Sequence, residues 1–134
     1  MEPVCCDSTF LIYYLKGKES AQERYSNLKN KFFFYTTSIN VYEIFYGYFY
    51  AFKKNKDIEK YFEKIKQLFN VMDVKELTTS SAIRAGNLRV ELQSQGVDIG
   101  NNDTLIAAIT LENGGNILTD NLKHFKHVNG LNIL

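Results

Sequence analysis

Short apolar segments alternate with longer helical patterns, and this alternation constrains the fold of the 134-residue chain more than any other feature. Val4–Cys6 lacks polar alternation, as in a strand buried on both faces, with Cys5 and Cys6 pointing to opposite sides. Strands separated by helices typically pair in parallel. The predicted strands are Val4–Cys6, Phe32–Tyr35, Val71–Val74, Asn116–Leu118 and a last apolar segment, Leu131–Leu134.

The segments between these strands have helical periodicity. The predicted helices are Phe10–Lys16, a polar helix to about Lys29, Asn40–Lys54, Asp57–Phe69, Thr78–Gln95 and Thr104–Asn113. Gly96 and Gly114 follow the last two helices as stop signals. The sequence therefore predicts one α/β domain over residues 1–134, with a parallel sheet of four to five strands and helices on both faces.

Composition excludes several classes of protein. The 16 Lys and Arg nearly balance the 15 Asp and Glu, so no overall basic field gathers nucleic acid. Adjacent Cys5 and Cys6 cannot build a disulfide framework, and with two histidines they match no familiar zinc-site spacing. The most apolar run, Val41–Phe52, contains Glu43 and is too short to span a bilayer. These features, with no recognisable signal peptide, predict a cytoplasmic protein that does not associate with membranes.

Four carboxylates lie near element ends that a parallel sheet would bring to one edge. Asp7 and Asp120 follow predicted strands, Glu43 lies early in the helix after the second strand, and Asp103 begins another helix. Ligands collect at this edge of open parallel sheets. Clustered carboxylates repel unless a cation neutralises them, and oxygen ligands suit Mg²⁺ or Mn²⁺. Such a metal suits the hydrolysis of phosphodiesters.

Each acid also has a purely structural interpretation. Asp7 could cap the first helix, and Glu43, three residues after Asn40, fits a capping box. Asp103 suits a helix N-terminus, and Asp120 suits a turn. The metal hypothesis therefore depends on the convergence of all four.

Four segments, in chain order, resemble the motifs of PIN domains, the family of the VapC toxins. The segments are Asp7–Ile12, Ser38–Gly47, Gly96–Ala108 and Thr119–Phe125. This resemblance implies a PIN fold with Mg²⁺-dependent endoribonuclease activity on RNA. It also implies the toxin of a type II toxin–antitoxin pair, with a VapB-like antitoxin as partner.

By position in these motifs, Asp7 and Asp103 would be the principal metal ligands, and Glu43 would complete the cluster. The family often has Asn at the position of Thr9. The fourth motif leaves either Asp120 or Asn121 to face the metal. We favour Asp120, because a carboxylate is the better ligand for a hard cation, with Thr119 supporting it by hydrogen bonds.

Three further features bear on function. Aromatic residues surround the helix that spans Tyr42 and Phe52, which indicates a homodimer contact or an antitoxin groove. Arg84 and Arg89 lie on the helix before the third motif and could meet an RNA phosphate. His124 and His127 are predicted as surface residues.

Two other classes compete with a ribonuclease. One is a catalytically weak PIN-like scaffold that binds protein or RNA, which intact acids at all four motifs disfavour. The other is a phosphoryl-accepting domain. A phosphatase of the haloacid-dehalogenase type needs a second Asp two residues after the nucleophile, where this chain has Thr9.

Overall fold

A computed structural model describes residues 1–134, apart from the side chain of Lys56. Its described part contains one five-stranded sheet in which every pairing is parallel, in the order β3-β2-β1-β4-β5. The strands are β1 Glu2–Cys6, β2 Phe32–Thr37, β3 Asp73–Lys75, β4 Asn116–Leu118 and β5 Asn132–Ile133. The predicted parallel α/β sheet is confirmed.

Helices cover both faces of the sheet. They are α1 Ser8–Leu15, α2 Glu19–Leu28, α3 Ser38–Lys54, α4 Glu59–Val71, α5 Thr79–Ser94, α6 Asn101–Glu112 and α7 Leu122–Phe125, with a 3-10 turn at Lys56–Ile58. Cys5 belongs to the core that packs against α5 and α6, whereas Cys6 belongs to the core under α1, α3 and α4. The two cysteines thus point to opposite faces, as a β-strand requires.

Several predicted boundaries were wrong by two or three residues, including the starts of the third strand, of α3 and of α6. The third strand begins at Asp73 and not at Val71, because Val71 is the last residue of α4, where it lies 84% exposed. Helix α3 begins at Ser38, because Thr37 caps it and Asn40 completes the capping box. Glu43 is therefore not a capping-box residue.

The strand order positions the candidate acids. Central strand β1 lies between β2 and β4, so the loops that leave these three strands meet at one edge. The backbone N–H of Asp7 donates to Leu118 O over 3.0 Å, which joins the ends of β1 and β4. Helix α6 packs against α5 and brings its N-terminus to the same edge. Within the described residues, no helix is both long and apolar enough to cross a membrane.

Candidate metal centre

Three of the predicted acids meet at the carboxyl edge of the sheet. Asp7, Glu43 and Asp103 each contribute a carboxylate oxygen, and these oxygens lie within 4.8 Å of one another. Asp7 follows β1, Glu43 lies in the second turn of α3, and Asp103 lies in the first turn of α6. Asp7 is buried, whereas the other two are partly open to solvent. The cluster is therefore buried at Asp7 and accessible from solvent at Glu43 and Asp103.

Asp7 is held by hydrogen bonds to both carboxylate oxygens. Its Oδ1 accepts from Asn40 Nδ2 over 2.9 Å. Its Oδ2 accepts from the hydroxyls of Thr119 and Thr9, over 2.7 and 3.0 Å. Thr9, at the position where the family often has Asn, thus supplies Asp7 with a donor of its own.

Glu43 is held less tightly, at the rim of the cluster. Its Oε1 accepts from Ser8 Oγ over 2.7 Å, and its Oε2 lies 3.4 Å from Asn102 Nδ2. Burial raises the pKa of Glu43, and the charges of Asp7 and Asp103 raise it further. The charged form is therefore disfavoured until a cation approaches.

Asp103 receives two nitrogen donors at one oxygen. Its Oδ2 lies 2.6 Å from His124 Nδ1 and 3.0 Å from Asn121 Nδ2. A carboxylate only accepts hydrogen bonds, so Nδ1 of His124 carries the proton. Burial raises the pKa of Asp103 and the charge of Asp7 adds to this, while the hydrogen bond from His124 lowers it.

The structure does not bring Asp120 to the cluster, which corrects our preference for this residue. Asp120 Oδ1 lies 2.9 Å from Arg24 Nη1 in a surface ion pair. Thr119 and Asn121, on either side, contact Asp7 and Asp103 instead. The chain bends at Asp120, so its side chain turns to Arg24 while those of Thr119 and Asn121 reach the acids.

His124, which was predicted as a surface residue, also lies at the site. Its side chain contacts Asp103, although about a third of it is exposed. A signal was present in the sequence: Asn121 and His124 are three residues apart, and in a helical turn such residues share a face. The contact of Arg24 with Asp120 joins residues 96 positions apart, and nothing in the local sequence indicates it.

The donor set fits a hard divalent cation. The three carboxylates offer oxygen ligands, which Mg²⁺ and Mn²⁺ prefer. Among the described side chains, no Lys or Arg forms an ion pair with Asp7, Glu43 or Asp103. The negative charge of the cluster is thus left for a cation from solution to balance.

An open groove of about 390 Å³ leads to the acids. Its lining residues are Glu43, Ile99, Gly100, Asn101, Asn102 and Asp103. Arg89 of α5 lies beside the N-terminal end of α6, where its Nη1 donates to Asn101 Oδ1 over 2.7 Å. Arg84 lies near Leu111, at the opposite end of α6. Of the two arginines, only Arg89 lies near the groove.

Sequence comparison shows similarity to known proteins along almost the whole chain. Residues 4–131 match the PIN domain family. The chain is 29% identical over 126 residues to the tRNA(fMet)-specific endonuclease VapC of Shigella flexneri, covering 93% of this chain and 91% of that protein. It is 30% identical over 132 residues to ribonuclease VapC1 of Rickettsia felis, covering 96% and 92%. A further relative, ribonuclease VapC2 of Rickettsia felis, matches at 30% identity over only 61% of each chain.

Solved structures show the same fold. The crystal structure of VapBC2 from Rickettsia felis, bound to a DNA fragment from the promoter, aligns with a TM-score of 0.84 at 25% identity, covering 98% of this chain and 97% of that one. DNA-bound VapBC from Salmonella typhimurium aligns with a TM-score of 0.83 at 26% identity, covering 100% and 98%. The family match over residues 4–131, together with the motifs, the fold and the acids gathered at the sheet edge, shows that this chain belongs to the PIN domain family.

Proposed function

We propose that this chain is a metal-dependent endoribonuclease, the VapC-like toxin of a toxin–antitoxin pair. In this proposal residues 1–134 form one PIN domain, and the protein acts in the cytoplasm. The observation that carries the proposal is the meeting of Asp7, Glu43 and Asp103 within 4.8 Å. The ribonuclease and endonuclease names of its relatives support RNA as the substrate.

Asp7, Glu43 and Asp103 would hold Mg²⁺, or Mn²⁺ in its place. Such a metal lowers the pKa of bound water and stabilises negative charge on a phosphoryl oxygen. The residues around the acids fix their orientation. Thr119 and Thr9 hold Asp7, and His124 and Asn121 hold Asp103.

The direct test is cleavage of RNA by the purified chain. We expect cleavage with Mg²⁺ or Mn²⁺, none in excess EDTA, and recovery when Mg²⁺ is restored. Asp103→Asn, prepared identically, is the control for contaminating nuclease and should be inactive. Equal cleavage by this variant, or full activity in EDTA, would contradict the proposal.

We propose that a VapB-like antitoxin binds the groove between α3 and α4. This groove of about 530 Å³ is lined by Tyr48, Phe49, Phe52, Glu59, Lys60, Phe62 and Glu63. An apolar floor with charged rims suits an amphipathic peptide segment. Support for such a partner comes from the structural neighbours, which are VapBC complexes.

We also propose that two copies associate through a row of exposed tyrosines on α3. Tyr42, Tyr46 and Tyr50 are each more than half exposed, and their rings follow one another at 6.2 and 6.3 Å. Gly47 lies in the same helix, and a Cβ atom at this position would face open space. A glycine inside a helix costs about 1 kcal/mol relative to Ala, and here it would allow a second helix to approach closely.

A further inference from the structure

Asn40 is a fully buried amide whose hydrogen-bonding capacity is completely used. Its Oδ1 accepts from the N–H and the hydroxyl of Thr37, over 3.3 and 2.8 Å. Its Nδ2 donates to Asp7 Oδ1 and to Ser8 Oγ, each over 2.9 Å. Because the Asp7 carboxylate only accepts, the amide can face it only with its nitrogen.

The two N–H bonds of Asn40 lead to two different carboxylates. One reaches Asp7 directly. The other reaches Ser8 Oγ, which donates in turn to Glu43 Oε1 over 2.7 Å. Asp7 and Glu43 are 36 residues apart in sequence, and this short chain of hydrogen bonds connects them through buried groups.

We infer that Asn40 is a positioning residue of the metal centre, which sets the placement of Asp7 relative to Glu43. The inference rests on the proposed metal-dependent function. It gives Asn40 a role beyond the capping box at the start of α3, since its amide oxygen completes that box and its amide nitrogen holds the acids.

A second capping box in the same chain shows what capping alone requires. Thr78 caps α5, and Ser81 occupies the position that Asn40 has in α3. The hydroxyl of Ser81 bonds only to Thr78 among the described residues. Serine is therefore sufficient for the cap, and the donors that Asn40 directs at Asp7 and Ser8 exceed what the helix needs.

The loss of these donors should weaken metal binding. Side chains that orient metal ligands typically contribute 10- to 100-fold to metal affinity. Without Asn40, Asp7 Oδ1 has no partner among the described residues, and Ser8 is no longer fixed towards Glu43. Both ligands would then have to be ordered when the metal binds.

The test is Asn40→Ser, which copies the capping box of α5 and removes the donors to the acids. Isothermal titration of the full chain with Mn²⁺ should show an affinity about 10- to 100-fold below wild type. Thr37→Val is the matched control: it removes the hydroxyl of the cap and leaves the Nδ2 donors. We expect it to lower the melting temperature and leave the Mn²⁺ affinity unchanged.

Wild-type Mn²⁺ affinity in a folded Asn40→Ser variant would overturn the inference, as would an equal loss of affinity in Thr37→Val. Failure of the wild-type chain to bind Mn²⁺ would instead overturn the proposed metal-dependent function. Should Asn40→Ser not fold, Ser8→Ala tests the same connection, because it removes the hydroxyl that links Asn40 to Glu43 and leaves the bond from Asn40 to Asp7 in place. Reduced Mn²⁺ affinity in Ser8→Ala supports the inference, and unchanged affinity contradicts it.

Discussion

Asn121 Nδ2 donates to Asp103 Oδ2 over 3.0 Å, while the carboxylate of Asp120, one residue earlier, pairs with Arg24 on the surface. The backbone N–H of Asn121 also donates to Thr119 Oγ1 over 2.9 Å. Thr119 in turn holds Asp7. The loop after β4 therefore connects Asp7 and Asp103 through Thr119 and Asn121.

Asn121→Ala should raise the Mg²⁺ concentration needed for half-maximal RNA cleavage, because Asp103 loses one of its two orienting donors. A roughly tenfold increase is expected for a residue that orients a ligand. Asp120→Ala is the matched control. It removes an exposed ion pair worth about 0–1 kcal/mol and should leave the Mg²⁺ requirement unchanged. The reverse pattern would restore Asp120 as the functional residue.

Asp7→Asn should abolish cleavage and still fold. The amide can keep its oxygen towards Asn40 Nδ2 and turn its nitrogen towards Thr9 and Thr119, whose hydroxyls can accept as well as donate. One ligand charge is lost with little change in packing. Circular dichroism checks that the variant folds, and an RNA cleavage assay checks that it is inactive. A folded, fully active variant would contradict the role of Asp7.

Glu43→Gln should stabilise the metal-free protein in a pH-dependent way. The raised pKa of Glu43 means that the folded state binds its proton more tightly than the unfolded state, whose pKa lies near 4.5. The stability of the wild type therefore falls, relative to the variant, as the pH rises above this value. Both proteins should melt alike at lower pH. Melting temperatures measured in EDTA across this range provide the test, and a gap that narrows with increasing pH would contradict it.

The expected order reverses when metal is present. Saturating Mg²⁺ binds the folded state and stabilises it, and the intact cluster should gain more than Glu43→Gln. A Mg²⁺-induced increase in melting temperature that is equal in both proteins would show that Glu43 is not a ligand.

Arg89→Ala should weaken the binding of a single-stranded RNA, because Arg89 lies beside the groove that leads to the acids. One lost phosphate contact should reduce the slope of log affinity against log salt concentration by about 0.7. Arg84→Ala, which removes the same charge at the far end of α6, is the control and should have no such effect. Fluorescence anisotropy in an Asp7→Asn background avoids cleavage. Equal effects of both substitutions would indicate a general charge effect and not a contact at Arg89.

Tyr50→Glu should separate the proposed homodimer without unfolding the chain. Tyr50 is more than half exposed, and a glutamate there can pair with Lys54 four residues later in the helix. Light scattering should show a dimer for wild type and a monomer for the variant. A wild-type monomer at high micromolar concentration would remove this proposal.

The sequence by itself determined the α/β architecture and the three acids of the cluster. Apolar periodicity is a local property, and it indicated the strand that Asp7 follows and the two helices at whose beginnings Glu43 and Asp103 lie. Helix boundaries were less certain, because Thr37 and Asn40 both suit a cap, and only the backbone shows which of them is the first.

Only the tertiary structure decided which neighbouring side chains reach the acids. The choice between Asp120 and Asn121 depends on the direction of a loop and on Arg24, 96 residues away from Asp120. The choice between Arg84 and Arg89 depends on how α5 packs along α6. Contacts of this kind join residues distant in the chain, so their geometry follows from packing and not from any local pattern.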